Sequence, residues 1–256
     1  MKKFESILLC TDLDGTLARD KNIAKRDIDA INYFKDNGGT FTLCTGRMLE
    51  YLEDLFKTVE PNTYTITLNG AKIIDHKSGE IIYSSHLQQG YTMAAEIPLK
   101  YSEYINDIFI YSNAKEYYKR TSPESFRADC IDRDKLVHKI VFTFKDEEIT
   151  KIAQKEIING FSDKYACLRS WNTGLELLDI KSTKGEAVLR LKEKLSKRIL
   201  ITAGDFENDI PMIKAADIGY AVGDAIDSLK CIADRITVPF NQNPIASIIE
   251  ELASLP

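Results

Sequence analysis

The chain has 256 residues, 44% of them apolar and 29% charged, with a formal net charge of −5. That length allows one large domain or two smaller ones, with a sizeable core that needs no staples. The acidic balance argues against a protein whose main task is gripping nucleic acid or an anionic membrane.

Ile7 to Thr11 is a short apolar run ended by Asp12 and Asp14, and it predicts a buried strand. It is too short for a signal-peptide core or a membrane span. Ala24, Ile28, Ile31 and Phe34 recur at helical spacing, with Gly38 placed to end the helix. Thr40 to Thr45 reads as a second strand. Met48, Leu52, Leu55, Phe56 and Val59 form a helical stripe stopped by Pro61, and Tyr64 to Leu68 is a third apolar run.

The rhythm then changes. Ala71 to Tyr83 reads as a hairpin turning at Lys77-Ser78-Gly79. A helix follows near 91–104, then a strand pair near 108–118. A strand over His138 to Phe144, a helix over Glu147 to Ile158, and strands near 165–171 and 175–180 complete this stretch, with a turn at Asn172-Thr173-Gly174. From Thr183 the alternation returns. A helix opens with the capping-box spacing of Thr183 and Glu186, and a strand follows over Ile199 to Ala203. A short helix marked by Ile210 and Ile213 precedes a strand over Ile218 to Val222 and a short run at Ile236 to Val238. An amphipathic helix through Ile245, Ile248, Ile249 and Leu252 closes the chain.

Alternating strands and helices imply an α/β core with a Rossmann-like, mostly parallel sheet and helices on both faces. The expected core is residues 1–83 and 183–256, and 84–182 is expected to be an inserted α+β domain. Five cysteines (Cys10, Cys44, Cys130, Cys167, Cys231) form no CxxC pair. Reduced thiols in a cytoplasmic protein are the expectation.

In an open parallel sheet, ligands bind beyond the carboxyl ends of the strands. Asp12 and Asp14 follow the first strand, Thr45-Gly46-Arg47 the second, and Asp205 the strand at 199–203. Two carboxylates two residues apart in extended chain can share a side, and they then need a cation or a shared proton. Mg²⁺ suits a site of few carboxylates completed by water and phosphate oxygens. A carboxylate also serves as a nucleophile, through an acyl phosphate. Thr45 and the Gly46 N–H can donate to phosphate oxygens, and Lys184 brings positive charge to a helix start. Asn208 can either donate to ligand or cap the following helix. Asp209 can either orient Lys184 or hold a metal-bound water. Arg47 can serve the site or pair across the surface.

These segments, in this order, resemble the haloacid dehalogenase (HAD) superfamily, specifically its Cof-type phosphatases with a large α/β (C2B-like) cap. Asp12-Leu13-Asp14-Gly15-Thr16-Leu17 is similar to the first motif and Thr45-Gly46-Arg47 to the second. Leu68-Asn69-Gly70-Ala71 matches an Asn-Gly segment. Leu175-Glu176-Leu177 with Thr183-Lys184-Gly185 matches the stretch around the family lysine, and Gly204-Asp205-Phe206-Glu207-Asn208-Asp209 the fourth motif.

The resemblance implies that Asp12 is nucleophile and metal ligand. Asp14 would be general acid, then base, and would lend the metal its backbone carbonyl. It gives Thr45, Lys184 and Asn208 to phosphate, Asp205 to the metal and Asp209 to a supporting position; the residue reading adds the Gly46 N–H to the phosphate donors and Arg47 to the supporting positions. The implied activity is Mg²⁺-dependent hydrolysis of small phosphorylated metabolites such as sugar phosphates. Phosphomutase-type transfer and non-catalytic phosphometabolite binding are the alternatives. The chain departs from the family at Asp179-Ile180-Lys181-Ser182-Thr183 and at Asn241-Gln242-Asn243-Pro244. The oligomeric state is not legible. In the inserted domain, Tyr101, Tyr104, Tyr111, Tyr117, Tyr118 and Trp171, with Lys115, Lys119, Arg120, Arg127 and Arg169, are the pool from which leaving-group contacts would come.

Overall fold

β1 (Ile7–Thr11) buries four of its five residues. A strand with no wet face needs cover on both sides, and the elements that follow supply it. In chain order these are β2 (Ala18–Arg19), β3 (Asn22–Ile23), α1 (Lys25–Asp36), β4 (Thr40–Leu43), α2 (Leu49–Phe56), β5 (Thr65–Thr67), β6 (Lys72–Ile74) and β7 (Ile81–Ser84). Next come β8 (Ile105–Ser112), β9 (Tyr117–Arg120), β10 (Val137–Phe144), α3 (Glu147–Phe161), β11 (Tyr165–Trp171) and β12 (Gly174–Asp179). The last third holds α4 (Lys184–Lys194), β13 (Ile199–Gly204), α5 (Ile210–Ala215), β14 (Ile218–Ala221), α6 (Asp227–Lys230), β15 (Arg235–Ile236) and α7 (Pro244–Ser254). The structure, a computed structural model, describes residues 2–87, 97, 100–112, 117–120, 136–161 and 164–254.

The chain divides into two units, Met1–Tyr83 with Lys184–Pro256, and Ser84–Thr183. In the first, five parallel strands run in the order β15-β14-β13-β1-β4. A parallel bridge from Cys44 to Ile66 continues the sheet into the three-stranded β5-β6-β7 set, in which β5 and β6 pair antiparallel. Alternation along the strands sends side chains to two different cores. Leu9, Ile201 and Ala203 pack with Ile31 and Phe34 of α1, Leu52 and Leu55 of α2, and Ile245, Ile248 and Ile249 of α7. Leu8, Cys10 and Leu200 pack with Ala187, Val188 and Leu191 of α4 and Met212 of α5. Each fully buried aliphatic side chain contributes roughly 1.5–3 kcal/mol. This is the α/β architecture that the alternation predicts.

The second unit is α+β. Its sheet is antiparallel, in the order β11-β12-β10-β8-β9. One face joins Ile108, Ile110, Ile140, Phe142, Leu175 and Leu177 to Ala153 and Ile157 of α3. On the strand positions in between lie Lys139 and Glu176, an ion pair at 3.0 Å with both side chains buried. The Lys139 ammonium also lies 4.9 Å from the Tyr111 ring centroid.

Two local expectations change. The strand expected over 40–45 ends at Leu43, and the β2–β3 hairpin has no counterpart in the periodicity because its strands are two residues long. Its turn residues Asp20 and Lys21 take φ values of 51° and 62° without a glycine to announce them. Of the helix expected near 91–104, most lies outside the described residues.

Candidate active site

The site residues stand just past the carboxyl ends of β1, β4 and β13. Asp12 extends the β1–β13 ladder, its N–H donating to the Ala203 carbonyl at 2.9 Å, and its side chain is buried. Lys184, the first residue of α4, is fully buried. Its ammonium lies 2.5 Å from Asp12 Oδ1 and 2.6 Å from Asp209 Oδ1. The second Asp209 oxygen accepts the N–H groups of Asp205 at 3.0 Å and Phe206 at 3.2 Å, which fixes the turn after β13. Asp205 Oδ1 accepts the Thr16 hydroxyl at 3.1 Å. Gly15 has φ +86°, and a Cβ there would fall 2.5 Å from Asp205 Oδ2. The Gly15-Thr16 pair therefore makes room for Asp205 and holds it.

Carboxylate oxygens of Asp12, Asp205 and Asp209 all lie within 4.8 Å of one another. Three carboxylates thus face one ammonium. Burial pushes the Asp12 carboxyl well above its usual range; Lys184 opposes this, and Asp209 and Asp205 reinforce it. Asp205 is pushed up to about 7, first by burial and next by Asp209. Burial works against the Lys184 charge, but Asp12 and Asp209 outweigh it and hold the ammonium protonated. The cluster is short of positive charge, and its donors are all oxygen. That donor set fits a hard divalent cation.

Thr45 is fully buried, its N–H bonded to the Ile66 carbonyl at 3.0 Å and its hydroxyl oxygen accepting the Arg47 N–H at 3.1 Å. A Cβ on Gly46 would sit 3.1 Å from the Asn69 carboxamide oxygen. Asn69 in turn donates its backbone N–H to the Thr45 carbonyl at 2.9 Å and accepts the Asn208 side chain at 3.2 Å. Asn208 therefore spends a donor on Asn69, and its cap role is not the one seen. Leu68 and Asn69 both have positive φ, 52° and 56°. Backbone strain of this kind costs roughly 1 kcal/mol or more per residue and gathers at functional sites. Asn69 and Thr16 are site residues that residue-by-residue reading left without a task. Both lie in the motif-like segments quoted above, and the local signals there were an Asn-Gly turn pair and a hydroxyl after Gly15.

Asp14 is half-exposed, and its carboxylate is not one of the three clustered ones; it forms a two-armed ion pair with Arg47. Asp209, expected in a supporting position, contributes its carboxylate to the cluster and also orients Lys184. In the second unit, the Tyr101 phenol donates to Glu156, and Arg169 lies 3.5 Å from Glu147. Tyr104 and Trp171 are exposed. Tyr117, Tyr118, Lys119 and Arg120 are described only as backbone of β9, and Lys115 and Arg127 lie outside the described residues.

The first unit is thus a parallel α/β sheet with three carboxylates and a lysine gathered past its strand ends, and the second is an α+β unit. The chain belongs to the haloacid dehalogenase-like hydrolases, whose family model matches residues 9–249. It is 27% identical over 249 residues to the 5-amino-6-(5-phospho-D-ribitylamino)uracil phosphatase YcsE of Bacillus subtilis, covering 94% of each chain. Among solved structures, a haloacid dehalogenase-like hydrolase from B. subtilis superposes with a TM-score of 0.82 at 21% identity, over 96% of this chain and 99% of that one. A subclass IIB sugar phosphatase of the same superfamily superposes with a TM-score of 0.79, also at 21% identity, over 97% and 99%. Among the described residues, no helix is long and apolar enough to cross a membrane.

Proposed function

We propose that the protein is a Mg²⁺-dependent, cytoplasmic phosphatase of small phosphate monoesters that works through a phosphoryl group carried on Asp12. The observation that carries the reading is the buried triangle of Asp12, Lys184 and Asp209 beside Asp205, with more negative than positive charge. Asp12 and Asp205, with the Asp14 backbone carbonyl, would hold the ion. The ion would supply charge neutralisation to the transferring group.

The remaining chemistry belongs to the chain. A carboxylate oxygen of Asp12 attacks phosphorus and the ester bond breaks, while Asp14 gives its proton to the departing oxygen. Asp14, now ionised, takes a proton from water as that water attacks the acyl phosphate, which releases inorganic phosphate and restores Asp12. Lys184 neutralises Asp12 before attack and the phosphoryl oxygens after it. The Thr45 hydroxyl, the Gly46 N–H and Asn208 donate to those oxygens, where charge builds in transfer. Asp209 keeps Lys184 aimed through its 2.6 Å contact. The inserted unit, Ser84–Thr183, takes the part of a cap domain.

A small-metabolite substrate is supported by relatives named for such substrates. One is YcsE; another is the pyridoxal phosphate phosphatase YbhA of Escherichia coli, 23% identical over 94% of this chain. The test is release of phosphate from p-nitrophenyl phosphate, with and without Mg²⁺, followed by a panel of phosphorylated metabolites. Turnover is expected only with the ion, and it is expected to vanish in Asp12→Asn. Turnover that persists in that variant would remove Asp12 as the nucleophile.

A further inference from the structure

Resting on that reading, we propose that Arg47 is a positioning residue for the general acid Asp14, and that Tyr51 and Lys21 hold Arg47 in place. Arg47 Nε donates to Asp14 Oδ2 at 2.8 Å and a terminal guanidinium nitrogen donates to Oδ1 at 2.9 Å. Such a fork fixes the plane of a carboxylate as well as its place. A half-exposed ion pair is ordinarily worth little, because two flexible side chains must be ordered to make it. Here the arginine is ordered from its other side. Its guanidinium carbon lies 4.3 Å from the Tyr51 ring centroid. The Lys21 ammonium lies 4.4 Å from the same centroid.

Lys21 reaches that ring from the turn of the β2–β3 hairpin, where it and Asp20 both carry positive φ. A lysine held in that conformation needs a compensating contact, and the Tyr51 ring supplies one. Two cations on one ring repel each other. The carboxylate of Asp14, bonded to Arg47, offsets that repulsion; Asp54, one helical turn after Tyr51, is itself paired with Lys57 at 2.8 Å. A continuous chain of contacts thus runs from the hairpin tip through Lys21, Tyr51 and Arg47 to Asp14.

The fork has a different consequence in each half of the reaction. When Asp14 carries a proton towards the leaving oxygen, one arm of Arg47 must leave that carboxyl oxygen, and the other keeps the group aimed. When Asp14 is ionised and takes a proton from water, both arms can hold it.

The experiment compares kcat/KM for two substrates of different leaving-group basicity, p-nitrophenyl phosphate and a simple alkyl phosphate. This constant reports the steps up to departure of the leaving group. A nitrophenolate departs with little help from an acid; an alkoxide needs the proton. Arg47→Lys keeps the charge and loses the fork, and it is expected to lower kcat/KM for the alkyl ester about tenfold more than for the nitrophenyl ester. Tyr51→Leu is expected to shift the ratio several-fold in the same direction, as an order-of-magnitude expectation, and Tyr51→Phe, which keeps the ring, to retain the wild-type ratio. Asp14→Asn sets the largest ratio attainable. Equal losses on both substrates, no loss, or a gain on the alkyl ester would overturn the proposal. Should Arg47→Lys not fold, the two Tyr51 variants decide it. Asp12→Asn in the same assay is independent of Arg47: retained turnover there sinks the phosphatase reading itself.

Discussion

Two buried lysines show how the two units of this molecule use charge differently. Lys139 lies in the middle of β10 and meets Glu176, in the middle of β12, at 3.0 Å. Lys184 lies at the start of α4, beyond the parallel strand ends, and touches both Asp12 and Asp209 with Asp205 close by. Among the described residues, the first lysine has one carboxylate at ion-pair distance and the second has two. A lysine paired with a carboxylate in mid-sheet cancels charge, at a desolvation cost that the attraction does not fully repay. A surplus of buried carboxylates needs a further cation, and it marks the place where one is expected to bind.

The largest effect that breaks this comparison is expected from Lys184→Met. It leaves Asp12 and Asp209 buried without their ammonium, which should cost roughly 3–5 kcal/mol of stability in urea denaturation. It should also lower turnover by a factor of about 10² or more, since an electrostatic donor to the phosphoryl group is gone. Lys139→Met alone should cost a similar roughly 3–5 kcal/mol, but the double change Lys139→Met/Glu176→Leu should be neutral or stabilising by about 1–4 kcal/mol. No matching apolar pair placed at Lys184 and Asp209 should restore turnover.

Much of this contrast was legible in the sequence, and its limits are physical. The parallel core announced itself because a strand buried on both faces is a continuous apolar run, as at Ile7–Thr11, and its end is marked by the first charge, Asp12. Lys184, Asp205 and Asp209 could be placed because each follows such a run or opens a helix. The Lys139–Glu176 pair could not be foreseen, because a charge in mid-strand normally reads as a solvated face. The 18–23 hairpin and the left-handed Leu68-Asn69 segment were missed for another reason. The strands at 18–23 are too short to show a period, and the Asn69-Gly70 pair announces a turn but not the left-handed Leu68 before it. The contribution of Asp209's own carboxylate to the cluster also depends on side-chain direction, which spacing alone leaves open.

A smaller effect separates burial from the site. Asp27 on α1 is buried and accepts the Ala246 N–H at 2.8 Å, and burial raises its carboxyl to about 6 in spite of that bond. A raised carboxyl favours the protonated folded state. Its stabilising contribution is therefore complete below about pH 4 and lost as pH rises to about 6. Asp27→Asn should flatten that part of the stability profile in urea titrations, by the same amount with and without Mg²⁺, because its carboxylate is not one of the clustered three.

The most direct test of a cation-seeking carboxylate cluster is thermal denaturation at pH 5.5 and pH 8, with EDTA or with Mg²⁺, for the wild type and Asp205→Asn. Burial and the neighbouring Asp209 push the Asp205 carboxyl up to about 7, from an ordinary 3.8, so its share of stability is lost as pH rises towards and through 7. In EDTA, Tm is predicted to be lower at pH 8 than at pH 5.5. Mg²⁺ is predicted to raise Tm more at pH 8 than at pH 5.5, and Asp205→Asn to shrink both the decline and the Mg²⁺ gain. An absent Mg²⁺ shift at either pH, or one undiminished in Asp205→Asn, would contradict the account.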